Sequence, residues 1–229
     1  MCRSWRRLVR RTSGSGIAAV YNQAYEHSLG VVPLDPQRAT KILAFLTEEG
    51  LFESEDLWVA RAPALRGMLR VHDDDYIESL QRHEVVERIF GAPMTDEELE
   101  RVVEMQRVAV GGTIQAARLA IQRRSIAVNL GGGFHHAETA WGQGFCVFND
   151  VAVAIANWRR HGGEGPVLVV DLDLHDGDGT RDAGEGGVGG AAVGWVEGVG
   201  EHHAGHGGDT LGIAEVAESV DTAVLAHAA

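Results

Sequence analysis

The sequence predicts an α/β fold, a mostly parallel sheet flanked by helices, and three observations predict it. Ile126 to Leu130 and Val167 to Val170 are short apolar runs bounded by glycine or proline, the pattern of buried strands. Stretches with helical spacing separate such runs, and strands alternating with helices build parallel sheets. Both runs end in polar clusters, and ligands of open α/β sheets gather at the carboxyl ends of strands.

The elements follow in chain order. Residues 1–16 carry Arg3, Arg6, Arg7, Arg10 and Arg11, then Thr12-Ser13-Gly14-Ser15-Gly16. This reads as a disordered basic extension, with a transit-like or nucleic-acid-binding arm as the other reading. No apolar stretch follows that would make it a secretory signal. Ile17 to Tyr21 reads as a first strand and Tyr25 to Leu29 as a loop. Asp35 is the expected N-cap of a helix with Pro36 at its first position. Ala39, Ile42, Leu43 and Leu46 share one face of that helix, and Gly50 ends it. The acids after His72 read as a helix start, favoured by the dipole. His72 itself reads as structural. Thr95-Asp96-Glu97-Glu98 has the form of a capping box. From Leu99 to Ala120 apolar and small residues recur at helical spacing, which reads as one long core helix, or as two divided at Gly111-Gly112. Val151 to Trp158 is a further helix packed beside the sheet.

The chemistry-bearing residues sit on two strand ends. After Asn129, three glycines allow the backbone to turn tightly or approach a ligand. His135 and His136 follow, placed to serve as general base and electrostatic partner. Each needs a carboxylate to fix its tautomer, and Asp171 and Asp178 are the candidates. Beyond Val170 the chain alternates Asp171, Leu172, Asp173, Leu174, His175. Alternation places the two acids and the His on one side and the two leucines in apolar packing. Carboxylate and imidazole together suit Zn²⁺ or another first-row divalent ion. Taken alone, Asp173-x-His175 fits a capped strand end with a solvated acidic turn equally well. Beside the His135-His136 pair it is more specific.

Three segments carry a resemblance: Gly132-Gly133-Phe134-His135-His136-Ala137, Gly144-Phe145-Cys146-Val147-Phe148-Asn149-Asp150, and Asp171-Leu172-Asp173-Leu174-His175-Asp176-Gly177-Asp178-Gly179-Thr180. In order and spacing they resemble the metal-dependent histone deacetylase superfamily, in its bacterial acetylpolyamine/acetoin-utilisation-like branch. The resemblance runs from about Tyr21 to Thr180. It implies a three-layer arginase/deacetylase-like fold, incomplete at its C-terminal end. It implies that Asp173 and His175 are two of three protein ligands of a catalytic Zn²⁺. His135 and His136 become the paired histidines beside the metal-bound water, with Asp171 supporting His135 and Asp178 supporting His136. Gly144 and Phe145 line an acyl-lysine channel, Arg38 lines an internal channel, and carbonyls around Asp171, Asp173 and His175 hold a structural K⁺. The substrate is an acetylated lysine or an acetylpolyamine. One departure stands out: Asp176 occupies the place of a second His common in the family.

After Thr180 the pattern changes. Arg181 to Gly212 holds 12 of the 30 glycines, so no strand or helix is read there. His202, His203 and His206 are read as part of a disordered tract. Ile213 to Ala228 is read as one amphipathic helix, and residues 181–229 as a Gly-rich tail after the 17–180 domain. The resemblance implies a third zinc ligand, an Asp, downstream of His175 and an oxyanion Tyr beyond it. Neither motif is found: Tyr76 is the last Tyr, and no motif surrounds Asp209 or Asp221. A truncated or frameshifted deacetylase is therefore expected, with a catalytically inactive fragment as the alternative to an active hydrolase. An arginase-like two-metal hydrolase is disfavoured by the His pair and the Gly-Phe-Cys segment.

Composition sets the outer bounds. A formal charge of −13 argues against general nucleic-acid affinity. Two cysteines are too few for a disulfide framework, and Cys146 reads as a buried free thiol. No apolar run reaches the roughly 18 residues of a membrane span. A soluble cytoplasmic protein is the expectation.

Overall fold

The computed structural model describes residues 17–26, 35–51, 54–185, 193–197 and 222–226. The chain divides into two compact units, Met1–Pro63 with Met94–Gly132, and Ala64–Pro93 with Gly133–Ala229.

The first unit holds three parallel strands in the order β2-β1-β3. They are β1 (Ala18–Tyr21), β2 (Leu57–Val59) and β3 (Ala127–Asn129). β1 is central and its first three residues are buried. β3 is an edge of this sheet, and Val128 and Ile126 are exposed rather than buried. Helix α1 (Arg38–Glu48) starts later than the sequence suggests. Gln37 is its N-cap, while Asp35 folds back to accept the Gln37 N–H at 2.9 Å. That local bond ends the Asp-Pro turn before the helix begins. Gly50, at φ 63°, closes α1. Of the face read from sequence, Ala39 is buried, Leu43 and Leu46 are half-buried, and Ile42 is exposed. Arg38 is half-buried at the first turn.

Helix α5 (Asp96–Arg123) is the unit's long element at 28 residues. Its start is the expected capping box: Thr95 Oγ1 accepts the Glu98 N–H, and the Glu98 carboxylate accepts the Thr95 N–H at 2.8 Å. Gly111-Gly112 does not interrupt it. Val108, Ala116 and Leu119 pack with Ala18, Val20 and Ala60 as the unit's core.

The second unit has its own parallel sheet, β5-β4-β6. The strands are β4 (Val167–Asp171), β5 (Val193–Glu197) and β6 (Thr222–Ala226). β4 is central, with Asp171 in register with Glu197 and Ala226. Thr222–Ala226 is thus a strand, not the helix read over Ile213–Ala228. Arg181 to Glu185 and Val193 to Glu197 are also regular, against the reading of no element over Arg181–Gly212. β5 and β6 exist through pairing with β4, and no local period announces it. His202, His203, His206, Asp209, Asp221 and the basic 1–16 stretch lie outside the described residues.

Short helices α2 (Leu65–Met68), α3 (Asp74–Ser79) and α4 (His83–Phe90) come first in this unit. Helices α6 (Asp150–Arg160) and α7 (Asp178–Glu185) flank the segment that contains β4. Val151 and Ile155 of α6 pack on Val167 and Val169 of β4. Phe148 and Met68 are fully buried, each burial contributing roughly 1.5–3 kcal/mol. No helix among the described residues is long and apolar enough to cross a membrane.

Candidate active site

The site is built by three loops of the second unit. The first, Gly133 to Glu138, carries the histidines. It is fixed from α6: the Asp150 carboxylate accepts the Phe134 N–H at 2.7 Å and the Gly133 N–H at 3.0 Å. Asp150 is 1% exposed, so these charge-assisted bonds form away from water. Asn149, the N-cap of α6, accepts from Ala152 N–H and donates to the Ala137 carbonyl and to Thr180 Oγ1. Thr180 in turn sends its N–H to the His135 carbonyl at 3.0 Å. The His-bearing loop is therefore tied to the starts of both α6 and α7.

His72 underlies this junction as a structural residue, as its sequence context suggests. Its Nδ1 donates to the Glu138 carbonyl at 2.9 Å, and its Nε2 accepts the Asn149 N–H at 3.0 Å. Only a neutral ring does both. Burial pulls its pKa down to about 4, against the opposing pull of nearby carbonyls and Asp73.

Two His–Asp pairs stand side by side. His135 Nδ1 lies 2.7 Å from Asp171 Oδ2, and His136 Nδ1 lies 2.8 Å from Asp178 Oδ1. The ring centroids are 4.1 Å apart. Asp171 ends β4 and is buried; Asp178 opens α7 and its side chain is 37% exposed. Burial alone lowers the His135 pKa, but the Asp171 hydrogen bond and the charges of Asp171, Asp173 and Asp178 outweigh it, and the net shift is upward. For Asp178, burial raises the carboxyl pKa, the His136 hydrogen bond and charge oppose it, and the net shift is downward.

The second loop follows β4 and departs from the sequence reading. The chain does not stay extended beyond Asp171. Asp171 Oδ1 accepts the Asp173 N–H at 3.0 Å, and Asp173 Oδ1 accepts the His175 N–H at 2.7 Å. Two successive Asx turns replace the alternation. Leu172 and Leu174 are consequently 57% and 75% exposed, not packed inside. Asp173 and His175 still come together, with His175 Nδ1 2.9 Å from Asp173 Oδ1. The His175 ring lies 5.8 Å from that of His136. Asp176, in place of a second His, pairs with Arg181 through both oxygens at 3.0 and 2.9 Å.

The third loop, Gly142 to Phe148, brings Gly144 and Phe145. A Cβ on Gly144 would meet His136 Cδ2 at 2.6 Å, so this backbone lies against the imidazole. Phe145 has a φ of 66°, rare for an aromatic residue, and the residue is 38% exposed. Cys146 is a buried free thiol whose pKa burial pushes up to about 12, which makes it inert.

Zinc is the metal to test against these residues. Asp173 and His175 match it in donor type, oxygen and nitrogen. They fall short in number: among the described residues no three His, Cys, Asp or Glu side chains group as a metal site. Sequence reasoning passed over Gln143, which donates to Asp178 Oδ2 at 2.9 Å, and gave no role to Asn149, Asp150 or Thr180. The helix N-cap position was a usable signal for Asn149; a lone Gln offers none.

A family model described as the histone deacetylase domain matches residues 32–186. Histone deacetylase 2 of Arabidopsis thaliana is 33% identical over 174 residues, covering 72% of this chain and 45% of the plant protein. An uncharacterised Picosynechococcus protein is 32% identical over 169 residues, 72% of this chain and 55% of that one. The crystal structure of an HDAC homolog from Aquifex aeolicus matches with TM-score 0.60 and 26% identity, over 74% of this chain and 48% of the other. The chain spans about half the length of these relatives.

Proposed function

The chain belongs to the histone deacetylase family, and from that premise we propose that it forms the paired-histidine part of a zinc-dependent hydrolase acting on acetyl-lysine or acetylpolyamine amides. The observation that carries the reading is the pair of His–Asp contacts, with ring centroids 4.1 Å apart, beside Asp173 and His175.

Each carboxylate accepts an Nδ1–H and so turns the other ring nitrogen, Nε2, away from the acid; on His136 that nitrogen is the base. His136 is the more accessible of the two, its side chain 18% exposed against 4% for His135. It is assigned the proton transfers: taking one from the attacking water and returning one to the leaving amine. His135, buried on Asp171, favours the protonated form and steadies developing negative charge. Asp173 and His175, with a donor from outside the described residues, would hold a zinc that polarises the amide carbonyl and lowers the pKa of water to about 7. A monovalent cation on the carbonyls of Asp171, Asp173 and His175 belongs to the same proposal. Phe145 and Gly144 offer an apolar wall and a close backbone for an acyl-lysine stem.

A second reading is a family member that binds acetylated partners without turnover, to which the two donors found among the described residues lend support. Zinc content of the purified chain, measured beside turnover of a fluorogenic acetyl-lysine peptide, separates the two. One zinc per chain with turnover abolished by His136→Ala supports the hydrolase. No zinc and no turnover overturns it for this chain.

A further inference from the structure

Resting on that hydrolase reading, we propose that Gln143 is a positioning residue: its amide sets the plane of the Asp178 carboxylate and thereby holds His136 in the Nδ1–H tautomer. The two His–Asp pairs differ in how their acids are held. Asp171 is buried, and both its oxygens are engaged, Oδ1 by Asp173 N–H and Oδ2 by His135. Asp178 is over a third exposed. Its Oδ1 accepts from His136 and from Gly179 N–H, so that oxygen alone does not fix rotation of the group. Gln143 Nε2 engages Oδ2 at 2.9 Å. With both oxygens bound, the plane is set.

The residue type matters as well as the contact. The same Nε2 lies 3.4 Å from Glu138 Oε1, so the amide stands between two acids. A primary amide has two N–H donors and no charge. It holds both carboxylates without adding a third negative group. Burial first, and then the charges of Asp182 and Asp178, raise the Glu138 carboxyl pKa. The loop delivers Gln143 at a conformational cost. The Gln143 carbonyl accepts the Cys146 N–H at 2.8 Å, and the turn between them runs through two positive φ angles, at Gly144 and Phe145.

The test reads tautomers, not rate. The full chain is labelled with ¹⁵N-histidine, and ring-nitrogen shifts are recorded about two units above the ordinary imidazole pKa. Wild type should show single Nδ1–H patterns for both His135 and His136. Gln143→Leu removes both donors; Gln143→Glu keeps the shape and replaces donor with charge. Both should lose the single-tautomer pattern at His136 and keep it at His135, whose signal also reports an intact fold. Retention of the His136 pattern in Gln143→Glu, while Asp178→Ala destroys it, overturns this inference and leaves the hydrolase reading standing. Retention of the pattern in Asp178→Ala overturns both.

Discussion

Gly177 stands so close to Asp171 that a Cβ on it would lie 2.5 Å from Oδ2, the oxygen that holds His135. The same Cβ would sit 3.4 Å from His135 Nδ1. Position 177 is therefore empty space required by the buried His–Asp pair. In Gly177→Ala the movable party is the Asp171 carboxylate, and moving it breaks the bond to His135. Loss of a buried hydrogen bond to a charged group costs about 1.5–3 kcal/mol. A lowered urea midpoint is expected, with the Nδ1–H pattern lost at His135 and kept at His136. An unchanged midpoint with an unchanged His135 signal would refute this account of the glycine.

Asp150 makes a second prediction. It accepts two backbone N–H groups of the glycine-to-histidine loop while almost fully buried. Asp150→Ala strands those donors, at about 1–3 kcal/mol for each buried group left unsatisfied. Asp150→Asn retains one acceptor oxygen and should cost clearly less. Equal destabilisation of the two variants, by chemical denaturation, would show that packing rather than loop anchoring is the role of this side chain.

Much of this was legible in the sequence, and the failures have physical causes. β4 was readable because Val167 to Val170 is a short run rich in β-branched residues between Pro166 and a polar cluster, and α5 because Thr95 and Glu98 announce its start. The residues that meet at the two His–Asp contacts were all named from local motifs, since each lies in a glycine-bounded segment. The leucines at 172 and 174 were misplaced because alternation assumes an extended chain, and the Asp171 and Asp173 side chains capture backbone N–H groups two residues on. Gln143 was invisible because a single neutral amide has no period and no spacing. β5 and β6 exist through pairing with β4, a long-range relation that Val193–Glu197 and Thr222–Ala226 do not encode locally.

His72 makes stability pH-dependent. The unfolded imidazole binds a proton near its ordinary 6.5, the folded one only near 4. Between those values the unfolded state holds more protons, so stability rises with pH. The contribution is complete above the unfolded value and is lost progressively as pH falls from 6.5 towards 4. The gap corresponds to about 3 kcal/mol at most. Unfolding free energy of the wild type should fall across that window. His72→Phe, less stable at pH 7 because the Glu138 carbonyl and Asn149 N–H lose their partner, should lack this part of the slope. An identical slope in the variant would place the effect in other groups.

Gly111 sets two opposed effects against each other. Ala is favoured over Gly inside a helix by about 1 kcal/mol, and α5 runs straight through this position. On propensity alone Gly111→Ala should stabilise. A Cβ there, however, would lie 1.8 Å from the Arg61 carbonyl oxygen and 2.8 Å from its carbon. Both atoms are backbone, so no side-chain rotation relieves the clash. The segment from Ala60 to Pro63 must shift away from α5, and overpacking of this kind costs about 1–3 kcal/mol. The clash outweighs the propensity, and Gly111→Ala should be net destabilising. A solvent-exposed site on the same helix, such as Glu100, provides the comparison: Glu100→Ala touches nothing buried and should change stability by less than about 0.5 kcal/mol. A Gly111→Ala chain more stable than wild type in thermal unfolding would mean that the close approach of α5 to Arg61 is not maintained in solution.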